Sequence, residues 1–326
     1  MASNRKKVLL PHTMGQEGID LLKRRDDIEV EIYDANIEQA ALLPILSDVA
    51  GIALSGTPYR QTEMAASPAM QVVARIGVGY DAVEVPALTA RGVPLMVAGS
   101  ANSTSVAEHA FHLMMALAKR TPALDAMVRK GTWRDRHDGL PVELSGKTVL
   151  IVGFGRIGTR SARRCLGFDM NVLIYDPYVP AEKITAAGCE RVTDLDAALP
   201  RADIVSIHCP KNTETVGLFN AARLARMKRG AFIINTARGG IIDEPALHGA
   251  LTSGHLAGAG LDVFETEPTP VNNALLALNS VIASPHMAGV TTESVAGMAV
   301  VTAENILSVL DGNPNRGNAI NPEVLG

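Results

Sequence analysis

Apolar residues fall in short runs separated by amphipathic stretches from one end of the chain to the other. Residues 8–10, 29–33, 51–54, 72–76 and 94–97 form a first series of such runs, and segments such as 18–23 between them carry helical spacing. Near-continuous apolar runs alternating with helices predict a parallel sheet covered on both faces. A second series follows at 148–152, 171–175, 204–208, 231–235, 259–263 and 281–284, each run ending at a polar or Gly/Pro cluster.

Between the two series, residues 102–120 carry a long helical pattern on Val106, Phe111, Leu113, Met114 and Leu117, opened by Asn and Ser suited to capping. It reads as a bridge. Residues 134–140 are charged and contain a Gly, the pattern of an exposed loop. A last helix over 292–310 stops at Asp311-Gly312-Asn313-Pro314. The remaining tail is too short for a domain and is expected to fold back on the N-terminal half. The fold class is therefore α/β with two doubly wound parallel-sheet domains, one discontinuous over 1–100 and 288–326, the other over 101–287.

Composition narrows the function. A chain of 326 residues with 47% hydrophobic content has enough apolar surface for two cores. A net charge of -4 with no basic run gives no prediction of a field that captures nucleic acid. Cys165, Cys189 and Cys209 are scattered and odd in number, so they imply neither a disulfide framework nor a metal site. Residues 1–7 are polar without a cleavage-site pattern, and no stretch approaches the roughly 20 apolar residues that span a bilayer. The expectation is a cytoplasmic protein acting on small molecules, without metal, membrane or nucleic-acid partners.

The strongest local signal is Gly153-Phe154-Gly155-Arg156-Ile157-Gly158, directly after the apolar run 148–152 and at the start of a helical stretch. A dinucleotide site needs glycine there for the tight turn, for backbone approach to a pyrophosphate, and for helix-to-strand packing. The helix N-terminus then holds the phosphates. Asp176, after the next strand, supplies a carboxylate for the adenosine ribose that repels a 2'-phosphate, which favours NAD over NADP.

Three further polar residues stand at or beyond strand ends: Arg238, Glu267 and His286. Ligands of open α/β sheets bind beyond the carboxyl ends of strands, so these side chains are expected in one crevice. Hydride transfer from an alcohol needs a base for the hydroxyl proton, a part an imidazole plays near neutral pH. A carboxylate beside it fixes its orientation and stabilises the imidazolium. A guanidinium offers a planar, permanent charge for a substrate carboxylate. His286, Glu267 and Arg238 take these three parts. Taken singly, Arg238 reads as a helix-cap or phosphate residue, Glu267 before Pro268 as an exposed loop acid, and His286 after Pro285 as a satisfied loop histidine; the shared spacing and strand-end placement join them in one site.

These motifs closely resemble the D-isomer-specific 2-hydroxyacid dehydrogenase family, which includes phosphoglycerate dehydrogenases. The matching blocks are Val106-Ala107-Glu108, Gly153 to Gly158, His208-Cys209-Pro210 with Thr213 and Thr215, Asn235-Thr236-Ala237-Arg238-Gly239-Gly240, Leu261-Asp262-Val263-Phe264 through Glu267-Pro268, and Ser284-Pro285-His286. The resemblance implies a Rossmann NAD-binding domain and a discontinuous flavodoxin-like substrate domain, with substrate bound between them. It implies Arg238, Glu267 and His286 as the catalytic triad, and backbone N–H groups of Gly77-Val78-Gly79-Tyr80-Asp81, Val78 and Gly79 above all, on the substrate carboxylate. Asp262 and the Ala237 backbone, with Thr236, would hold the nicotinamide, while His208, Cys209, Pro210 and Thr215 wall the adenosine. On the residues alone, His208-Cys209-Pro210 reads as strand-end packing. A homodimer through the NAD domain, with 102–120 in the contact, is implied as well.

Departures limit the substrate. Phosphoglycerate enzymes commonly carry an Arg where this chain has Ser55-Gly56-Thr57, and a smaller residue and Asn at Tyr80 and Ala82. Arg60, Arg75, Arg134 and Arg136 are the candidates to replace the phosphate partner, each equally readable as a surface charge. The short form is also expected to lack the appended regulatory domain. Within the reaction class, the alternatives are D-3-phosphoglycerate dehydrogenase proper and a hydroxypyruvate or glyoxylate reductase. Glu267 disfavours a formate dehydrogenase, which pairs its His with Gln. An NAD-sensing binding protein of the corepressor kind is the rival from another class, disfavoured by the absence of long disordered flanks.

Overall fold

Parallel strands dominate both halves of the chain, and their residue alternation explains why. The computed structural model describes residues 5–137 and 139–326. The expected polar start over 1–7 therefore lies partly outside the described residues, as does Asp138 of the expected loop 134–140. The chain divides into two compact units: one runs up to Asn102 and resumes at Val290–Gly326, the other is Ser103–Gly289.

In the first unit, β1 (Lys6–Pro11), β2 (Ile28–Tyr33), β3 (Val49–Leu54), β4 (Val72–Arg75) and β5 (Leu95–Met96) form a sheet in the order β2-β1-β3-β4-β5. All its ladders are parallel. That is the flavodoxin-like order. Successive residues feed opposite cores: Val8, Leu10, Val72 and Ala74 pack with Ala299, Ala303 and Ile306 on one face. Leu9, Ile52, Leu54 and Val73 pack with Leu42, Tyr59 and Leu88 on the other. The returning tail is tied to the β5 edge. Val97 N–H donates to the Asn318 carbonyl, Ile320 N–H to that of Leu95, and Leu95 N–H to Asn321 Oδ1. These bonds give the tail a reason to return: the short edge strand would otherwise leave buried N–H groups unpaired.

The helix Thr292–Leu310 is long and apolar enough, by length and composition, to cross a membrane. This corrects the expectation that no stretch comes near spanning length. Its apolarity has a local cause, since Ala299, Ala303 and Ile306 are fully buried in the first unit's core.

The second unit holds β6 (Thr148–Val152), β7 (Asn171–Tyr175), β8 (Glu190–Val192), β9 (Ile204–Ile207), β10 (Phe232–Asn235), β11 (Gly258–Leu261) and β12 (Val281–Ala283). Their order is β12-β11-β10-β9-β6-β7-β8, again parallel throughout. The order reverses beside β6, which creates a switch-point crevice beyond the carboxyl ends of β6 and β9. Leu150, Val152, Val205 and Ile233 face one core and Val149, Ile151, Ile204 and Ile234 the other. The α/β expectation with two parallel sheets is met.

The bridge predicted over 102–120 is the helix Ser103–Ala118, followed by a separate helix Thr121–Lys130. Arg120 breaks the two with a left-handed φ of 52°. The first helix buries Ala110, Leu113 and Met114 in its own unit. No residue of the second is fully buried, and Leu124, Ala126 and Met127 are half-buried.

Candidate functional site

The glycine loop is built as its sequence requires. Gly153 closes β6 with φ 97°, and a Cβ there would lie 2.7 Å from the Cys209 nitrogen. A Cβ on Gly158 would lie 2.0 Å from the Gly153 carbonyl oxygen. Gly155 differs: a Cβ there meets nothing within 4 Å, so its backbone faces open space at the start of the helix Arg156–Leu166. Open backbone at an exposed helix N-terminus is the cradle a pyrophosphate needs. Arg156 and Ile157 begin that helix.

Asp176 follows β7 and is held by three backbone donors. Phe154 N–H reaches its Oδ2 at 2.7 Å, and Tyr178 and Val179 N–H reach Oδ1 at 2.9 and 3.1 Å. The carboxylate keeps acceptor capacity for a ribose hydroxyl. Tyr178, a residue the sequence did not single out, spans from this loop by hydrogen bonding through its hydroxyl to Glu214.

Past β9, His208 Nε2 lies 2.9 Å from the buried Ser206 hydroxyl. Its Nδ1 is buried without a hydrogen-bond partner among the described residues. Burial pushes the imidazole down to about 4, so it is neutral near pH 7. Burial likewise pushes the Cys209 thiol up to about 11, which removes it as a nucleophile. Thr215 folds its hydroxyl back onto the Pro210 carbonyl at 2.6 Å, shaping this loop.

At the end of β10, the buried Asn235 organises the turn that follows. Its Oδ1 accepts Ala237 N–H at 3.0 Å and its Nδ2 donates to the Arg238 carbonyl at 2.9 Å. Arg238 is half-buried and its Nη1 donates to the Ala237 carbonyl at 2.7 Å. The buried Thr236 hydroxyl lacks a partner among the described residues. Two orphaned buried polar atoms, an open glycine backbone and a fixed carboxylate fit a dinucleotide. Among the described residues no cluster of His, Cys, Asp or Glu fits a metal ion.

Past β11 and β12 the structure joins two of the three predicted catalytic side chains. His286 Nδ1 lies 2.7 Å from Glu267 Oε2, and both side chains reach solvent, with 47% and 36% exposure. Glu267 Oε1 accepts Phe264 N–H at 3.0 Å, which fixes the carboxylate. Asp262 is 1% exposed and bonds inward, to the Ser284 hydroxyl and to the N–H groups of Met287 and Ala288.

Val78 and Gly79 belong to the other unit, in the loop after β4. There Gly77 adopts φ 135° and its carbonyl accepts Ala98 N–H. Arg75 braces the loop, donating Nε to the Gly79 carbonyl at 2.7 Å and Nη1 to that of Leu54 at 2.9 Å. Its guanidinium is therefore engaged with backbone. Arg60 begins a short helix, its N–H on Glu63 Oε2. Arg134 and Arg136 stand exposed on the turn Trp133–His137 of the second unit.

Comparison with known proteins agrees with this architecture. Residues 111–288 match the family model described as D-isomer specific 2-hydroxyacid dehydrogenase, NAD binding domain. The D-3-phosphoglycerate dehydrogenase of Archaeoglobus fulgidus is 36% identical over 315 residues, 97% of this chain and 59% of that protein. The chain thus spans well under two thirds of that relative's length. The D-lactate dehydrogenase of Aquifex aeolicus, solved with NAD and lactic acid, is 28% identical over 96% of this chain and 98% of its own, with a TM-score of 0.84. A glyoxylate reductase from Paecilomyes thermophila is 27% identical over 98% of this chain and 99% of its own, with a TM-score of 0.87.

Proposed function

Because the chain belongs to the D-isomer specific 2-hydroxyacid dehydrogenase family, we propose that it moves a hydride between NAD(H) and C2 of a D-2-hydroxy acid or its 2-keto acid. The observation that carries this reading is the 2.7 Å pair of His286 Nδ1 and Glu267 Oε2. An imidazole tied to a carboxylate through Nδ1 presents Nε2 to the C2 oxygen. It takes that oxygen's proton in oxidation and returns it in reduction. Glu267 stabilises the imidazolium and fixes the ring. Arg238 receives the substrate carboxylate as a bidentate partner, and the backbone N–H groups of Val78 and Gly79 are assigned to the same carboxylate. When bound, the nicotinamide supplies or accepts the hydride.

On the cofactor side, Gly153, Gly155, Arg156, Ile157 and Gly158 cradle the pyrophosphate. Asp176 takes the adenosine ribose, and His208, Cys209, Pro210 and Thr215 line the adenosine. Thr236, Ala237 and Asp262 serve the nicotinamide. The substrate domain is the discontinuous unit in this reading, and the protein works in the cytoplasm without nucleic-acid or membrane partners. A homodimer forms through the NAD unit. Its support is the helix Thr121–Lys130, which has no fully buried residue and exposes Val128, with Trp133, Leu140 and Val142 exposed after it in the chain.

A second reading, D-3-phosphoglycerate dehydrogenase proper, is favoured by the 36% identity to the Archaeoglobus enzyme. Against it stand Ser55 at the position of the phosphate-binding arginine and the commitment of Arg75 to two backbone carbonyls. NADH oxidation by the purified protein, followed over pyruvate, glyoxylate, hydroxypyruvate and phosphohydroxypyruvate, separates them. Turnover of an unphosphorylated acid is expected. Selectivity for phosphohydroxypyruvate supports the second reading, and no turnover of any acid rejects both in favour of an NAD-sensing binding protein.

A further inference from the structure

The loop that carries His286 hangs on one buried carboxylate. Asp262 Oδ1 accepts Met287 N–H and Oδ2 accepts Ala288 N–H, each at 2.8 Å, while its main-chain oxygen accepts His286 N–H at 2.8 Å. Consecutive backbone donors thus converge on a single residue at the end of β11. The loop needs such a clamp, because His286 stands at φ 56°, a left-handed conformation that a residue with a Cβ adopts only when its surroundings enforce it.

Asp262 is in turn held from behind. Ser284 Oγ donates to Asp262 Oδ1 at 2.6 Å, and His109 Nε2 lies 2.8 Å from the same Ser284 oxygen. A serine hydroxyl has one hydrogen, and here it is spent on the carboxylate. His109 must therefore be the donor, through Nε2–H. Burial lowers the His109 pKa, against the pull of Asp262 3.8 Å away, which favours the neutral ring with its hydrogen on Nε2. His109 sits on the helix Ser103–Ala118, whose Leu113 and Met114 are locked in the core, so the far end of the chain of bonds is anchored to a rigid element.

We propose that His109 and Ser284 are positioning residues: by fixing the rotamer of Asp262 they hold the 286–288 backbone, and through it the imidazole of His286, against Glu267. The inference rests on the acid–base role assigned to His286 above. Two backbone amides and a hydroxyl leave one Oδ2 acceptor site on Asp262. The clamp is therefore compatible with a contact from Asp262 to a nicotinamide carboxamide.

The test compares wild type with His109→Leu, His109→Gln and Ser284→Ala by steady-state kinetics and by amide hydrogen exchange of the segment 286–290, the latter without substrate. His109→Leu should lower kcat by about 10- to 100-fold, the scale of a small misplacement of a reacting group, with KM for NADH changed less than about threefold. His109→Gln, which keeps an N–H donor near Nε2, should recover most of that loss. Exchange over 286–290 should quicken by about tenfold in the Leu and Ala variants but not in Gln. Unchanged exchange in His109→Leu, or equal behaviour of Leu and Gln, overturns the proposal. If wild type reduces no 2-keto acid, the reading of function fails by itself, and the exchange data still decide the clamp.

Discussion

The backbone N–H of Phe154, inside the glycine loop, donates to Asp176 Oδ2 at 2.7 Å. The carboxylate assigned to the adenosine ribose is thus also the brace of the loop assigned to the pyrophosphate. Replacing it should do two things at once. Asp176→Ala removes the charge that repels a 2'-phosphate, so the ratio of kcat/KM for NADPH to that for NADH should rise by about tenfold or more, at 1.4 kcal/mol per factor of ten. An unaltered ratio in coenzyme kinetics would discredit the ribose contact.

Two glycines of one motif should behave differently. At Gly158 a methyl group would stand 2.0 Å from the Gly153 carbonyl oxygen, whereas at Gly155 it meets nothing within 4 Å. Gly158→Ala overpacks the strand–helix junction, costing about 1–3 kcal/mol. It should lower the melting temperature and NADH affinity together. Gly155→Ala should melt like wild type and yet bind NADH at least about tenfold more weakly, since the methyl occupies the space through which a phosphate approaches the backbone. Thermal melts paired with fluorescence titration of NADH make the comparison.

Glu267→Gln keeps a hydrogen-bonding partner for His286 Nδ1 and removes the charge. Turnover should fall by about 10²-fold, the lower end of what a positioned acid–base group contributes, with NADH affinity unchanged. Turnover within a factor of three of wild type would show that the 2.7 Å contact is structural.

His208 gives the fold an acid-sensitive element. Burial holds its imidazole down to about 4, below the ordinary 6.5, so the folded form refuses a proton that the unfolded chain accepts. Stability is intact above pH 6.5 and is lost as pH falls from there towards about 4, by about 3 kcal/mol in all. Urea unfolding at pH 7 and pH 4.5 should therefore show a smaller acid loss for His208→Gln than for wild type. Equal losses would mean that other groups account for the whole acid response.

Much of the fold was legible because burial on both sheet faces writes itself into sequence. The run 148–152 is bounded by Lys147 and Gly153 and became β6 without change. β8 was missed: three residues long, it buries only Val192, which leaves no periodicity to read. The helix Thr121–Lys130 was missed as a separate element because it has no fully buried residue to mark a core face. Within the site, His286 and Glu267 were visible as strand-end polar residues only 19 positions apart. His109 was not, for its partner Ser284 lies 175 residues away and only the sheet order brings them together. Nor does any spacing rule tell that Arg75 donates to the Gly79 and Leu54 carbonyls.

The most direct test of the central claim is the turnover of His286→Ala with whichever 2-keto acid the wild-type protein reduces, measured beside NADH binding. Loss of turnover by about 10²- to 10⁴-fold with NADH affinity preserved is the result expected of a proton donor at the C2 oxygen. Turnover close to wild type would contradict the account, because the imidazole held 2.7 Å from Glu267 would then not be the acid.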